Sequence, residues 1–227
     1  MVNTENKLQL PLVERLIYKK TFLYSVEFFF HFSKALAQEE FDLFQKILSN
    51  EGWKKINRDK GSNLLFTRND SGIVLTSQEI QIILSIADYN TFETWCPWLV
   101  TMNKTLGDNA INFISIIKSN HYRIKQEDSK GENWIKNALL SSDYLSNCNK
   151  APDNANRFVA SLDDGVFGFS QFDISLENGV YTLQLNLACA EKVGKNDFKE
   201  QLTRLNNIIF RLWHWAVSKN VIKMMEG

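Results

Sequence analysis

The chain has 227 residues, 44% hydrophobic and 12% aromatic, enough to build the core of one large domain or of two small fused ones. Lys plus Arg equal Asp plus Glu at 26 each, so the formal net charge is zero and composition supplies no general attraction to nucleic acid or to an anionic membrane. Cys96, Cys148 and Cys189 are far apart and odd in number, which argues against a disulfide scaffold or a Cys-x-x-Cys zinc site.

The cysteine usage predicts a reducing, cytoplasmic setting. The opening MVNTENKLQLPLVERL lacks the apolar core of a secretory signal. No apolar run approaches the ~18 residues that a membrane helix needs.

Residues 1–20 read as an N-terminal arm or short amphipathic helix. Pro11 suits a first helical turn, Leu12, Val13, Leu16 and Ile17 supply apolar positions, and Lys19 and Lys20 suit the end. The clearest strand follows, from Thr21 to Ser33. Phe22, Tyr24, Val26, Phe28, Phe30 and Phe32 alternate onto one face; Ser25, Glu27, Phe29, His31 and Ser33 fall on the other. A helix then carries Ala37, Phe41, Phe44 and Leu48 on one stripe and stops at Gly52. Trp53 to Asp88 reads as a meander, with a turn at Asn69-Asp70-Ser71-Gly72 and alternating Ile80, Ile82 and Leu84 in its last strand. Thr91 to Leu106 reads as a helix stopped by Gly107.

The order then recurs. A strand from Ile111 to Ile124 slips its alternation between Phe113 and Ile114, which predicts a bulge. A helix carries Trp134, Ile135, Ala138 and Leu139, and the polar stretch from Ser146 to Asn156 reads as a loop. Asp164-Gly165 and Asn178-Gly179 predict two tight hairpin turns, because both pairs tolerate positive φ. One long helix is predicted from Asn196 to about Lys219, with Phe198, Leu202, Leu205, Ile209, Leu212 and Ala216 at 3-4 spacing. Phe210, Trp213 and Trp215 widen that stripe beyond what one sheet would cover, which makes them candidates for a partner interface.

These patterns predict an α+β fold: two β-α-β-β-β-α pseudo-repeats, residues 21–107 and 108–227, forming a mainly antiparallel sheet with helices on one face. The pattern Val26-Glu27-Phe28-Phe29-Phe30-His31-Phe32, the hairpins of the second half and the closing Leu205-Asn206…Phe210…Val217-Ser218 resemble a family of uncharacterised bacterial proteins of similar length, scattered sporadically among genomes. The chain departs from that pattern at Tyr24 and Ser25, where a proline usually opens the first strand, and at Asn186 and Cys189, where acidic residues are expected. The family has no settled activity. The resemblance implies a bacterial or phage origin and a role in defence or anti-defence.

No phosphate loop, dinucleotide fingerprint, nucleophile elbow or zinc-protease helix is present in the sequence. No catalytic residue, metal ligand or cofactor is therefore predicted. One constellation stands out: Glu27 and His31 share the less apolar face of the first strand, and His121 and Arg123 share the polar face of its counterpart. Paired, the four would bind an anion or a peptide carboxylate, with Arg123 as the fork-shaped donor. Cations and aromatics also mix at Trp53-Lys54-Lys55 with Arg58 and Lys60, and from Arg123 to Lys136 around Trp134, but interspersed acids mark both as solvated loops. The expectation is a non-catalytic binding protein that presents a sheet face or its aromatic helix to a protein partner or to a second copy. Nucleic-acid binding on the sheet and a hydrolase using Glu27 with His31 or His121 are the alternatives.

Overall fold

The computed structural model describes residues 7–56, 63–107, 111–150, 156–162, 165–194 and 197–227. The fold is α+β with a mainly antiparallel sheet. In chain order the elements are β1 (Leu23–Phe32), α1 (Gln38–Asn50), β2 (Lys54–Ile56), β3 (Leu64–Arg68), β4 (Ser71–Leu75), β5 (Glu79–Ser85) and α2 (Phe92–Thr105). There follow β6 (Ile111–Lys125), α3 (Glu132–Leu139), α4 (Ser142–Asn147), β7 (Asn149–Lys150), β8 (Asn156–Ser161), β9 (Phe167–Glu177), β10 (Val180–Lys192), α5 (Phe198–Ala216) and α6 (Lys219–Glu226). Each helix-to-helix stretch therefore carries four strands where the pattern predicts three; β2 and β7, three and two residues long, are too short to show a period.

The chain gathers into two compact units whose boundaries cut across the expected division at 107/108. One unit comprises residues 25–116 and 190–205; the other comprises 7–24, 117–189 and 206–227. β1, β6, β10 and α5 each contribute residues to both.

In the first unit the strands run in the order β2-β3-β4-β5-β1-β6. Alternation on β1 decides this unit. Val26, Phe28, Phe30 and Phe32 are buried, and their partners on β5 include Ile80, Ile82 and Leu84, all at 0% exposure. Phe30 packs between Phe28, with centroids 6.5 Å apart, and Phe198 of α5 at 5.9 Å. Helix α1 starts where the Glu40 carboxylate accepts the Ala37 N–H at 2.7 Å, and buries Phe44 and Leu48. Helix α2 starts at Thr91, whose hydroxyl accepts the Thr94 N–H at 3.3 Å. At Asn69 the chain takes φ +50 to turn from β3 to β4, as the Asn-Asp pair predicts.

In the second unit the order is β6-β10-β9-β8-β7. Leu183, Leu185, Leu187 and Cys189 of β10 are fully buried, and Asn178 and Gly179, at φ +50 and +72, make the β9–β10 turn. Gly165 stands at φ +85 and the Leu162 N–H donates to the Val166 carbonyl at 2.8 Å, closing the β8–β9 connection; Asp164 lies outside the described residues.

Three expectations meet the structure here. Of the arm or short helix expected over residues 1–20, residues 8–20 take the irregular arm, in which Leu12 and Ile17 are 93% and 85% exposed. The apolar residues after Pro11 do not converge on one buried face, so nothing stabilises a helix of this length. The closing helix is also two helices. Val217 bridges to Leu140, the Ser218 N–H donates to the Leu139 carbonyl at 3.0 Å, and the Ser141 N–H donates to the Ala216 carbonyl at 2.9 Å. Those backbone groups are withdrawn from the helical ladder, so α5 ends at Ala216 and α6 restarts after Ser218. The stretch expected as a loop from Ser146 holds the end of α4 and the two residues of β7.

The two faces of β1 should respond differently to truncation. Phe30→Ala should cost about 3–5 kcal/mol in chemical denaturation, as expected for an aromatic deleted from a closed core. Phe29→Ala, on the half-buried outer face, should cost only about 1 kcal/mol.

Candidate functional site: an open sheet face

Residues directly opposite in antiparallel strands share a face, so the register of the first unit fixes what its outer surface displays. One row runs Ile56, Leu65, Val74, Gln81, Phe29 across β2, β3, β4, β5 and β1. The next row runs Lys54, Thr67, Gly72, Ile83, Glu27. Every one of these residues keeps solvent exposure, whereas Phe66, Ile73, Leu75, Ile80 and Ile82, on the opposite face, are at 0%. The outer face is thus apolar at Ile56, Leu65, Val74, Phe29 and Ile83, with a polar patch at its β1–β5 side.

That patch contains the first two candidate residues. Gln81 donates its amide to the Glu27 carboxylate at 2.9 Å, and His31 stands opposite Glu79. His31 Nδ1 is 3.0 Å from the carbonyl of Phe32, which orients the ring. Neither side chain is arranged as an acid–base pair: Glu27 is held by an amide and His31 by backbone.

The other two candidates belong to the second unit. His121 stacks on Tyr24, with centroids 4.1 Å apart and planes at 15°, and its backbone N–H donates to the Phe22 carbonyl at 2.8 Å. Burial first, and then the Arg123 guanidinium, hold His121 below the ordinary imidazole value of 6.5. Its Nε2 is buried and has no hydrogen-bond partner among the described residues. Arg123 is exposed one residue beyond Tyr122, which turns inward.

Trp213 and Trp215 of α5 are buried in the interior of the second unit. Trp213 is 7% exposed and donates its Nε1–H to the Tyr122 phenol at 3.1 Å. Trp215 is 8% exposed and packs on Tyr144 at 5.4 Å and on Phe158 at 4.9 Å. Phe210 is half-buried, 6.3 Å from Tyr18 of the arm. Their extra width on the helix is therefore covered by this chain's own strands, α4 and arm, which leaves Trp213 and Trp215 little surface for a partner. What the sequence did not announce is that the arm packs on α5 through Tyr18, because an irregular backbone has no period to place it.

The cation–aromatic runs are also accounted for where the structure describes them. Trp53 is 3% exposed and lies beneath the Arg68 guanidinium at 4.6 Å, which also reaches Trp95 at 5.5 Å. Asp88 closes that cluster, accepting from Ser71 at 2.5 Å and Asn69 at 2.8 Å, with Arg68 at 3.9 Å. Lys55 donates to Gln45 at 3.0 Å, and Arg58 and Lys60 lie outside the described residues. Trp134 is 39% exposed on α3.

The thiols are quiet. Burial raises all three, and pushes Cys189 up to about 12 against the opposing charge of Lys118. Among the described residues no group of three or more His, Cys, Asp and Glu side chains is placed to hold a metal ion. Among the described residues no helix is long and apolar enough to cross a membrane. No family model matches the chain, and no curated protein matches it.

Because the folded state disfavours protonated His121, its stability contribution is complete above the unfolded value near 6.5 and is lost as pH falls through the lower folded value. An NMR titration should place the His121 midpoint below 6.5, and Arg123→Ala should move it upward by removing the second cause.

Proposed function

We propose that the protein is a non-catalytic binding protein, acting in a reducing compartment, that receives a protein partner on the outer face of its first unit. The observation that carries this reading is the apolar row Ile56, Leu65, Val74, Phe29 with neighbouring Ile83, left accessible on a sheet whose other face is closed. A row of aliphatic and aromatic side chains, edged by Glu27, Gln81 and Thr67, has the composition of a protein–protein contact: an apolar centre with hydrogen-bonding groups at its margin. The charges on these rows favour protein over nucleic acid. Lys54 and Glu27 balance, and Glu79 adds a negative charge beside His31, whereas phosphate binding calls for a cationic excess. The hydrolase alternative gains no support from Glu27 and His31, each already engaged as described.

Val74→Glu and Leu65→Glu test the reading, because both place a carboxylate in the row without touching the core. In affinity purification from the native host, the wild type should retain a stoichiometric companion protein. Each variant should lose it at least tenfold while melting within a few degrees of wild type. Retention of the same companion by both variants would overturn the proposal. Capture of nucleic acid with steep salt dependence would favour the alternative.

A further inference from the structure

In the second unit, residues 7–20 have neither helix nor sheet, apart from the single bridge Lys7↔Ser161. Backbone hydrogen bonds tie the two ends of this segment to the rest of the unit. The Leu8 N–H donates to the Ser161 carbonyl at 3.1 Å, and the Lys20 N–H donates to the Met225 carbonyl at 3.3 Å. Between these ends the arm is gripped by side chains of α5. The Arg211 guanidinium donates from Nε to the Pro11 carbonyl at 2.9 Å and from Nη2 to the Leu10 carbonyl at 3.1 Å. The Tyr18 phenol meets His214 Nε2 at 2.8 Å. Tyr18 also lies over the aromatic face of the helix, 5.8 Å from Trp213 and 6.0 Å from His214.

The arm's own burial is sparse. Leu10 is 8% exposed, but Leu12, Leu16 and Ile17 are 93%, 54% and 85% exposed. A segment with neither helix nor sheet, and with Leu12, Leu16 and Ile17 largely in water, opens at a far lower free energy than a strand of the sheet. Beneath it lie Phe210, Trp213 and His214, which pack on one another with centroids 4.7–6.3 Å apart. Phe210 and Trp213 belong to the part of α5 that the sequence marks as exceeding the needs of one sheet.

We propose that residues 7–20 are a releasable strap: closed, the strap covers the Phe210–Trp213–His214 face of α5, and open, it exposes that face while the rest of the unit stays folded. Arg211 is the principal clasp and Tyr18 the second. Because Arg211 takes backbone carbonyls, the clasp holds the shape of the strap and not particular side chains. This device is separate from the sheet-face reading of the first unit, and neither depends on the other.

Limited proteolysis with thermolysin, which cuts before large aliphatic residues, tests it on the full chain. Cleavage within residues 7–20 should precede any cleavage of the body, and the trimmed body should keep a cooperative denaturation transition. Arg211→Ala and Tyr18→Phe should each speed arm cleavage about tenfold without speeding degradation of the body. Tyr18→Phe removes only a hydroxyl, so it keeps the test valid if Arg211→Ala folds poorly. Arm cleavage that runs only at the rate of body degradation would overturn the proposal, since opening would then be global unfolding. Arm cleavage that is already maximal in the wild type and unchanged in both variants would overturn it too, since the strap would then not be closed.

Discussion

Period-two burial along β1 is the constraint on which the first unit depends. Val26, Phe28, Phe30 and Phe32 all point one way because successive side chains of a strand must alternate. Once three phenylalanines are committed to the covered side, Glu27, Phe29 and His31 are committed to the other. Antiparallel register then passes the same decision to β5, β4, β3 and β2. A slip of one residue would expose the phenylalanines and bury Glu27, so the register is held by the energy of the whole core. The open face is a consequence of that core.

The second unit is held differently. Its helices carry polar links inward: Trp213 to Tyr122, Lys118 to the Asn206 side chain at 2.8 Å, and the Ser141 hydroxyl to the Trp215 carbonyl at 2.6 Å. The Tyr144 phenol meets the buried Ser170 hydroxyl at 2.9 Å, and burial raises both Tyr122 and Tyr144 well above the ordinary phenol range. Such groups stay neutral and act as fixed donors and acceptors. They fix how α4 and α5 lie in the unit, at a cost that would be severe if either partner were removed.

Much of this was legible in the sequence where a local period and a stop signal coincide. The alternation of β1, the stripe of α1, the stop of α2 at Gly107 and the Asn178-Gly179 turn all emerge from residues a few positions apart. What escaped the sequence depends on contacts distant in the chain. Val217 and Ser218 look helical until Leu139 and Leu140 take their backbone groups. Trp213 and Trp215 look like surplus aromatic surface until Tyr18, Tyr122 and Tyr144 are placed against them. The four candidate residues divide by the same logic. Strand parity correctly puts Glu27 and His31 on an open face, but it could not show that Gln81 and the Phe32 carbonyl already engage them.

A functional reading based on surfaces should be tested at the surface. A photo-crosslinking amino acid placed at Val74, on the outer row, can be compared with one at Glu39, on the exposed side of α1, in the native host. The account predicts one discrete crosslinked protein from position 74 and none from position 39. No product from position 74, or the same product from both positions, would contradict it.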